Sequence, residues 1–553
     1  MSKVSDLSLR PPTNFRGIFR DDLSARAVYS EAAGIERRVP QAVAIPLDAD
    51  DVVSIVSWAR GSGIPITPRG SGTSMAGGAL GSGVIVDLST MSAIGRVDIE
   101  RKKIGAEPGA LRDAVNATAE ASGLRFPVDP SSGQFATIGG MVSTNAAGAH
   151  SLLYGSIRQW VTALDCVFAD ASRARLVRGA SPPQHVPAIG RFLTQARPRI
   201  LDSRKKIDAA HAGVRKDSSG YGLRAYAASD ELIDLIVGSE GTLAIVVGVE
   251  LALTDLPAAT SGLLGAFGSL ENAVAAAGKA RELGAAACEL LDKTFLDVAA
   301  SGAAFSSTTF PVGTEAVLLA ELEGDSDDAA QSLSEKLAAE FKNVGASYVS
   351  VARTSAEQNE IWELRHAASP ILSTLDANLE SMQFIEDGAV PPNRLADYVR
   401  GVRAALDSRG VRGVIFGHAG DAHVHVNPLI DVSKADWRDK VDGLLEDVVT
   451  LTSRLSGTLS GEHGDGRLRA PLLDATWPHE EVDLFAAVKK CFDPDGILNP
   501  GVKIAVAGQK PIGDVKYDPK LPALPAIAKK ALDFVAAERA YATPRLSLID
   551  RAE

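Results

Sequence analysis

The segment FGHAGDAHVHVNPL, residues 416–429, gives the strongest indication of how this chain folds. Apolar residues on either side of a Gly/Asp-rich turn (AGDA) predict two antiparallel strands joined by a tight connection. Alternation along the returning strand places His423, His425 and Asn427 on one face. His418 ends the incoming strand, across the turn from that face. The segment therefore predicts a hairpin with one polar, imidazole-lined side.

A second polar island, SGEHGDGRL at residues 460–468, adds Glu462 and His463 to this set. Together the two islands hold four of the nine histidines of the chain, a clustering that indicates chemistry rather than chance. Two imidazoles and a carboxylate bind zinc, and iron or manganese also accepts them. Such a three-ligand site leaves a coordination position for water or substrate. We therefore predict a metal-assisted active site, the alternative being ordinary hydrogen-bonded polar groups around a turn.

The composition is typical of a folded globular protein. The chain has 553 residues, of which 45% are hydrophobic and 23% charged. This length allows about two or three domains with sizeable cores, and the composition excludes disordered and fibrous classes. The net charge of -12 argues against nonspecific nucleic-acid binding and against a basic membrane-docking surface. An anionic substrate would therefore need Arg or Lys side chains placed locally.

The cysteines and the N-terminus indicate the compartment. Cys166, Cys288 and Cys491 lie far apart in apolar surroundings, which predicts buried thiols in a reducing compartment. No pair has the close spacing of an iron–sulfur or structural zinc site. Residues 1–12 lack an apolar signal core, and no run is long enough to cross a membrane. We expect a cytoplasmic enzyme, with peripheral attachment to the inner face of the membrane as an open alternative.

Strand and helix patterns divide the chain into two main parts. From 42 to 253, short apolar strands alternate with helical runs, which is typical of α+β or α/β domains. Asp48 or Asp50 can cap the first of these helices. After a break at 254–262, strand–helix–strand patterns recur and predict a sheet covered on one side by helices. Residues from 505 onward are Pro- and Lys-rich at first, and we expect a tail or linker there.

Three stretches of small residues indicate a phosphate-bearing ligand. The loop PITPRGSGTSMAGGALGSG, residues 65–83, follows a strand and lets backbone amides approach an anion closely. Runs at 128–156 and 238–246 offer further hydroxyl and backbone groups. The first loop is not a dinucleotide fingerprint of the usual kind, because Met75 occupies the third glycine position, and nicotinamide binding in that mode is disfavoured. Each stretch taken alone also fits a simple turn.

Together these motifs resemble a known family. PRGSGTS, IGGMVSTNAAG, GSEGTLAI, the two histidine islands and FDPDGILNPGVK follow the order found in flavin-linked oxidases of the vanillyl-alcohol-oxidase/PCMH superfamily. Within it, the chain resembles the D-2-hydroxyacid dehydrogenase branch, which includes D-lactate, glycolate and D-2-hydroxyglutarate dehydrogenases. The resemblance covers residues 40–503.

The resemblance implies an α+β fold in four parts. A PCMH-type FAD-binding domain of two α+β subdomains would span residues 40–257. A ferredoxin-like α/β cap domain with an antiparallel sheet and a C-terminal helical segment would span 258–504 and hold the substrate. An N-terminal extension (1–39) and a C-terminal tail (505–553) would complete the chain.

The resemblance also implies noncovalent FAD in the first domain. The pyrophosphate would lie against residues 69–74, and Asn499 near the end would return to that domain. Thr73 stands where relatives with covalently bound flavin carry a histidine, and threonine cannot form that bond. The implied FAD contacts are Arg69, Gly70, Ser71, Gly72, Thr73, Ser74, Gly139, Gly140, Ser143, Asn145, Glu240, Gly241, Ile245 and Asn499.

The same resemblance assigns the reaction centre. The family pattern GHxGDGNxH corresponds to residues 417–425, so that His418, His425 and Glu462 would bind a divalent metal, with zinc favoured. A small D-2-hydroxy acid of the D-lactate, D-2-hydroxyglutarate or glycolate class would be oxidised to the 2-oxo acid by metal-assisted hydride transfer to FAD. His463 is implied as the catalytic base and as a substrate contact, because an imidazole with a near-neutral pKa can accept the hydroxyl proton.

The resemblance also implies further substrate contacts, and this chain departs from the family pattern near the turn of the hairpin. Arg365 is implied as a bidentate clamp for the substrate carboxylate, with Ser369 one helical turn beyond it and Asn427 as further contacts. For Arg365 the alternative is a solvated or ion-paired position, with an acidic partner from elsewhere in the fold. His423 stands where the pattern has Asn, which leaves open an extra ligand, a partner of a ligand or an altered substrate fit. Ala422 replaces a glycine of the pattern.

Substrate selectivity and the electron acceptor stay open. The segment FIEDGAVP, residues 384–391, lacks a lysine that hydroxyglutarate-type relatives carry, which puts selectivity for a dicarboxylate in doubt. Larger relatives fuse this unit to an iron–sulfur unit, so a separate iron–sulfur protein, a quinone or a cytochrome would accept the electrons, and a homodimer is left open. The competing functions are a metal-dependent hydrolase, a noncatalytic flavin-binding subunit of an oxidase complex, and a flavin enzyme for non-redox carbon–oxygen exchange.

Overall fold

The computed structural model describes residues 9–299, 310–366 and 378–550. Within these ranges, two four-stranded sheets and a two-stranded sheet are built from the N-terminal half, and an eight-stranded sheet is built from the C-terminal half. No helix in the described ranges has the length and apolar character needed to cross a membrane. Cys166, Cys288 and Cys491 are buried free thiols, as predicted.

The first sheet is parallel except at one edge. Its strands, in spatial order, are Ile18–Arg20, Ala42–Ile45, Val84–Asp87 and Ile66–Arg69, the first of them antiparallel to its neighbour. All residues of the two central strands are buried, as expected for a parallel sheet covered on both faces.

The second four-stranded sheet is antiparallel throughout. Its strands, in spatial order, are Lys103–Ala106, Ile245–Ala252, Val161–Val167 and Arg173–Val177. The two-stranded sheet pairs Leu124–Arg125 with Thr254–Asp255. The helices of this half are Leu23–Val28, Ala49–Ser62, Arg112–Glu120, Ile138–Thr144, Ser151–Tyr154, Pro187–Gln195, Arg197–Asp202, Arg204–Ala209, Leu223–Ser229 and Leu232–Ile236, with a 3-10 turn at Ile157–Gln159.

The eight-stranded sheet is antiparallel and carries the histidine hairpin. Its main path, in spatial order, is Ala346–Val351, Ala259–Phe267, Ala316–Gly324, Ala287–Asp292, Arg412–His418, His423–Asp431 and Leu379–Ser381. Gly388–Ala389 pairs with His423–Asp431 as well. The helices of this half are Leu270–Glu282, Lys293–Ala299, Asp327–Asn343, Ser355–His366, Leu395–Ser408, Trp437–Arg454, Gly466–Arg469, Leu473–Thr476, His479–Phe492, Ala526–Ala537 and Arg545–Asp550, with 3-10 turns at Pro392–Arg394, Ala419–Asp421 and Ala470–Leu472.

The local sequence patterns predicted several of these elements correctly. The α+β class and the antiparallel sheet of the second part are confirmed. Of the two candidate caps for the first long helix, Asp48 is the one used, because its carboxylate accepts the N–H groups of Asp50 and Asp51. The break at 254–262 contains the start of strand Ala259–Phe267, with which the eight-stranded sheet begins in the sequence.

The segments expected as a terminal extension and a tail are packed parts of the first unit. Strand Ile18–Arg20 pairs with Ala42–Ile45, and the helices Ala526–Ala537 and Arg545–Asp550 pack on Leu23–Val28. Apolar side chains of these helices form one buried cluster with the edge of the first sheet: Val28, Val43, Ile45, Leu532, Leu546 and Ile549. Residues 505–550 are therefore no detached tail, because both of their helices bury apolar faces against this unit.

A matched pair of variants tests this packing. Leu532 is 7% exposed, whereas Phe534 on the same helix is 47% exposed. We expect Leu532→Ala to lower the free energy of unfolding by about 2–4 kcal/mol, because it leaves a cavity in the cluster. Phe534→Ala should change it by less than about 0.5 kcal/mol. Chemical denaturation followed by circular dichroism measures both, and equal losses in the two variants would contradict the packing.

Candidate active site

The histidine hairpin forms as alternation predicts. The register of its two strands pairs His418 with His423 and Phe416 with His425, so that three imidazoles meet at one end of the hairpin. All three are buried. Ala422 completes the turn with φ 53°, a left-handed conformation that glycine adopts freely. Alanine at this position therefore costs about 1–2 kcal/mol of backbone strain relative to the glycine of the family pattern.

Each of these imidazoles is fixed by an acceptor on its outer side. The pairs are His418 Nδ1 with Glu289 Oε1 at 2.6 Å, His425 Nδ1 with the Glu386 carbonyl oxygen at 2.9 Å, and His423 Nε2 with Asp387 Oδ1 at 2.8 Å. An acceptor at one ring nitrogen holds the proton there and leaves a lone pair on the other nitrogen. The hairpin thus presents three ring nitrogens toward a common point.

The inner nitrogens converge on Glu462. His418 Nε2 and His425 Nε2 are 3.4 Å apart, and each is 3.4 Å from Glu462 Oε1. These separations match the edge, about 3.3–3.4 Å, of a tetrahedron whose corners lie ~2.0–2.1 Å from a central zinc ion. His423 Nδ1 is 4.0 Å from Glu462 Oε2. The three metal ligands expected from the sequence are therefore brought together, and their donor atoms fit a first-row divalent metal.

Lys216 holds the carboxylate of this cluster in place. Its buried Nζ lies 2.9 Å from Glu462 Oε2 and 3.9 Å from Asp421 Oδ2. Burial by itself would raise the pKa of Glu462, but Lys216 and His418 lower it well below its usual range. The carboxylate is thus ionised, with one oxygen on the lysine and the other directed at the imidazoles.

His463 lies beside this cluster and is more accessible than its members. Its ring stacks on that of His425 with centroids 5.3 Å apart, and 27% of its side chain is exposed. Nδ1 is 3.3 Å from Glu386 Oε1. Burial favours the neutral imidazole, yet the carboxylates of Asp387 and Glu386 raise the pKa of His463 to about 9. The near-neutral pKa expected from the sequence is therefore wrong for the protein alone, although a cation bound at Glu462 would oppose this shift.

Arg365 has the acidic partner that its own helix does not supply. Its Nε donates to Glu289 Oε2 at 2.7 Å, and its guanidinium lies 4.7 Å above the ring of Phe416. Among the described residues nothing accepts a hydrogen bond from its two terminal nitrogens, which leaves one edge of the guanidinium for a ligand. Burial raises the pKa of Glu289, but His418 and Arg365 lower it to about 2. Glu289 therefore joins the predicted carboxylate clamp to the predicted metal cluster.

Of the remaining predicted substrate contacts, Asn427 lies within the described ranges. Asn427 is half-buried on the same strand as His423 and His425, and its side-chain amide makes no hydrogen bond with the described residues. Ser369 lies outside the described ranges.

One short segment links this cluster to the glycine-rich loop. The N–H groups of Glu462 and His463 bond to the carboxylate of Asp387 at 3.1 and 2.9 Å. Further along the segment, the N–H groups at 465 and 466 bond to the carboxylate of Glu240, and the N–H of Arg467 bonds to the Ala76 carbonyl at 2.9 Å. The second histidine island therefore lies between the two candidate sites and contacts both.

The glycine-rich loop presents free backbone donors. None of the N–H groups from 70 to 76 bonds to an acceptor within the described ranges. The hydroxyl of Ser74 and the side-chain oxygen of Asn145 are buried and likewise have no partner there. Buried polar groups without partners are rare in native proteins, so these groups indicate a bound polar ligand. They fit the phosphates and polar edges of FAD.

Three of the predicted FAD contacts use their side chains inside the protein. The Arg69 guanidinium donates to the carbonyls of Tyr29 and Glu31. Asn499 donates to the carbonyls of Gly78 and Glu240, and the segment before it pairs with Ile66–Arg69, so the chain returns to the first unit as predicted. Glu240 binds the linking segment described above. These side chains shape the loop, and only their backbone could face the cofactor.

The other predicted contacts line the same region. Gly139 and Gly140 open the helix Ile138–Thr144, which Thr137 caps, and Ser143 and Asn145 follow at its end. A Cβ at Gly139 would lie 2.6 Å from Pro108, and one at Gly241 would lie 2.3 Å from Pro68. Ile245 begins strand Ile245–Ala252. The glycines are thus required where chain segments approach closely.

Sequence reasoning missed four residues of the site: Lys216, Glu289, Glu386 and Asp387. Each is buried and makes a polar contact with a histidine or with Glu462. Glu289 carried a signal, since a carboxylate inside the apolar strand Ala287–Asp292 needs a buried partner. Glu386 and Asp387 stand after apolar Phe384 and Ile385 and carried the same signal.

Two family models match the chain in the order of its two units. Residues 40–176 match the FAD binding domain, and residues 256–502 match the C-terminal domain of the FAD linked oxidases. The chain belongs to the FAD-linked oxidases. It is thus an FAD-dependent oxidoreductase, and the expected resemblance and enzyme class are confirmed.

Relatives and solved structures agree with this family. The glycolate oxidase subunit GlcD of Bacillus subtilis is 29% identical over 497 residues, which is 89% of this chain and 95% of that protein. The D-lactate dehydrogenase of Anaerostipes hadrus is 27% identical, covering 88% and 94%. The D-2-hydroxyglutarate dehydrogenase of Pseudomonas putida is 29% identical, but this chain spans only 50% of its length.

The fold is shared with more distant enzymes of known structure. The structure of p-cresol methylhydroxylase with substrate bound superposes with a TM-score of 0.65 at 14% identity, covering 88% of this chain and 94% of that one. Alkyldihydroxyacetonephosphate synthase superposes with a TM-score of 0.60 at 15% identity, covering 87% and 82%. At these identities the likeness establishes the PCMH-type fold alone.

The cofactor loop gives a direct test. A Cβ at Gly70 would lie 2.2 Å from the hydroxyl of Thr137, which caps the helix carrying Gly139 and Gly140. We expect Gly70→Ala to disturb this cap. If the loss of about 1–2 kcal/mol of capping free energy is taken from the binding of FAD, its affinity falls roughly tenfold. Gly105→Ala is the control, because a Cβ at that position meets no atom within 4 Å. Flavin absorbance per protein after dialysis measures the FAD content of both variants. Equal flavin retention would contradict FAD binding at the glycine-rich loop.

Proposed function

We propose that the protein oxidises a small D-2-hydroxy acid to the 2-oxo acid, with noncovalent FAD and a divalent metal as its cofactors. The observation that carries this proposal is the pairing of a glycine-rich loop with free amides and a His/His/Glu cluster, joined by one short segment. The relatives' names, D-lactate dehydrogenase, glycolate oxidase subunit and D-2-hydroxyglutarate dehydrogenase, support the substrate class.

The free amides at 70–76 would bind the FAD pyrophosphate, with Ser74 and Asn145 completing the polar contacts. When bound, FAD supplies a two-electron acceptor for the hydride from the substrate's α-carbon. Thr73 cannot form a covalent bond to the flavin, so the binding is noncovalent. The residues from 462 to 466 fix the distance between this loop and the His/His/Glu cluster, because buried carboxylates bind the N–H groups at both ends of the segment.

His418, His425 and Glu462 would hold the metal. When bound, a divalent metal supplies a Lewis acid that makes the substrate hydroxyl more acidic. His463 lies 3.7 Å from Glu462 and is partly exposed. A cation bound at Glu462 would oppose the rise in its pKa, so that the neutral ring can receive the hydroxyl proton as the α-hydrogen leaves. The carboxylates of Glu386 and Asp387 then stabilise the imidazolium that forms.

Arg365 would bind the substrate carboxylate with the edge of its guanidinium that Glu289 leaves free. The bond to Glu289 and the contact with Phe416 fix the plane of the guanidinium, which favours bidentate binding. Asn427, whose side-chain amide bonds to none of the described residues, would be a further contact on the same sheet. Because the segment 384–391 lacks a lysine for a second carboxylate, a monocarboxylate such as lactate or glycolate suits this site better than 2-hydroxyglutarate.

Anaerobic titration of the flavin is the decisive experiment. We expect D-2-hydroxy acids to bleach the flavin absorbance of the purified protein and their L-enantiomers to do so at least about a hundredfold less well, since one orientation presents the α-hydrogen to the flavin. D- and L-lactate, D- and L-2-hydroxyglutarate and the achiral glycolate form the panel. A colourless protein that stays colourless with added FAD would favour a metal-dependent hydrolase, and a yellow protein that no hydroxy acid bleaches would refute the oxidation.

Substitution of the base separates chemistry from cofactor binding. We expect His463→Ala to retain flavin and metal while the rate of anaerobic flavin reduction falls by about 10²–10⁴-fold, the usual contribution of a general base. Stopped-flow absorbance measures the rate, and metal analysis checks the cluster. An unchanged reduction rate would remove His463 from the reaction.

The carboxylate clamp has its own signature. We expect Arg365→Ala to weaken substrate binding at least about tenfold, because a charge-assisted bidentate pair contributes about 1.5–3 kcal/mol. Arg353, an exposed arginine that precedes the same helix, supplies the control variant Arg353→Ala. The substrate dependence of anaerobic flavin reduction gives both affinities, and equal affinities would leave Arg365 with an ion-pairing role only.

A further inference from the structure

We propose that His423 is a third imidazole ligand, so that this chain holds its metal with His418, His423, His425 and Glu462. This inference rests on the metal site of the proposed function and extends it. The family pattern supplies two histidines and a glutamate, with asparagine at the position of His423. The structure thus assigns a different donor set to this protein.

One ring nitrogen of His423 is not used in any bond with the described residues. Its Nδ1 is buried and has no hydrogen-bond partner within the described ranges. The nearest charged oxygen, Glu462 Oε2, is 4.0 Å away and already accepts from Lys216 at 2.9 Å. A buried polar atom of this kind is rare in a native protein unless a ligand, an ion or a water satisfies it. His423 also belongs to a group, with His418, His425 and Glu462, whose possible ligand atoms all lie within 4.8 Å of one another.

The hydrogen bond at the other ring nitrogen fixes the tautomer of His423. His423 Nε2–H donates to Asp387, whose carboxylate also accepts two backbone N–H groups and is therefore fixed. This bond leaves the lone pair on Nδ1, the nitrogen that faces the cluster.

His423 differs in this respect from the half-buried His150 and the buried His211. His150 uses both ring nitrogens, one with Asp129 and one with Glu321. His211 also uses both, with Asp217 and with the Thr476 carbonyl. These are the bonds of structural histidines. His423 instead follows the arrangement of His418 and His425, with an outer nitrogen bonded to the protein and an inner nitrogen directed at Glu462.

The backbone beside His423 leaves space for its imidazole ring. A Cβ at Gly461, the residue before Glu462, would lie 2.6 Å from the imidazole of His423. Only glycine at this position leaves space for a histidine at 423. The added imidazole is therefore accommodated by the same segment that carries the glutamate ligand.

A four-donor set has a chemical consequence. Four protein ligands fill a tetrahedral shell, so a substrate can add only as a fifth ligand. Zinc accepts five ligands in catalysis, and cobalt and manganese accept five or six. The site should also retain its metal longer than a three-donor site.

Cobalt substitution tests the assignment on the full-length protein. The metal is removed with a chelator and replaced by Co²⁺, and the visible absorption of the ion is recorded for the wild type and for His423→Asn. We expect the variant to change both the position and the intensity of the cobalt bands, and to lose Zn²⁺ to a chelator at least about tenfold faster. His211→Asn is the matched control: it removes another buried imidazole, and asparagine tolerates the left-handed backbone at that position (φ 48°).

The outcomes separate this inference from the proposed function. Identical cobalt spectra for the wild type and His423→Asn would overturn the assignment, even if chelator resistance falls, because an outer-sphere partner can also weaken the site. Equal spectral changes in His211→Asn would overturn it as well. Flavin bleaching by hydroxy acids reports on the proposed function alone, since the cobalt spectrum is read without substrate.

Discussion

Two buried carboxylates hold one short piece of backbone, and both candidate sites depend on it. Asp387 accepts the N–H groups at 462–463, and Glu240 accepts those at 465–466. A buried carboxylate is stable only when hydrogen bonds and cations compensate it, so neither end of this segment can move without a large penalty. The separation between the His/His/Glu cluster and the glycine-rich loop is therefore fixed, which suits the reaction over a short distance that we propose.

The charges around the cluster favour binding of a cation, as the proposed function requires. Its buried carboxylates are Glu289, Glu386, Asp387 and Glu462, and its permanent cations are Lys216, Arg365 and Arg469. The pKa of His463 is raised by this surplus of negative charge, and that of His418 is raised against the effect of burial by Glu289. Both pKa shifts indicate a negative electrostatic potential at the cluster. Such a potential favours bound positive charge, either as protons or as a divalent metal ion.

Local patterns predicted much of the fold and part of the site. The hairpin with His418 and His425 follows from two-residue alternation around a turn, and the flavin loop follows from its glycines, because both are properties of neighbouring residues. Lys216 and Glu289 escaped prediction because their partners lie far away along the chain, at 246 residues for the Lys216–Glu462 bond. The helices after 525 were missed as packed elements because a Pro- and Lys-rich stretch precedes them.

The sequence alone determined the donor types, the hairpin that carries them and the flavin family. The tertiary structure alone decided which ring nitrogen faces the cluster, which carboxylate pairs with Arg365, and in which direction the pKa of His463 moves. The physical reason is that tautomers, ion pairs and pKa shifts depend on burial and on charges that act through space. Such charges come from distant parts of the chain, and folding brings them together.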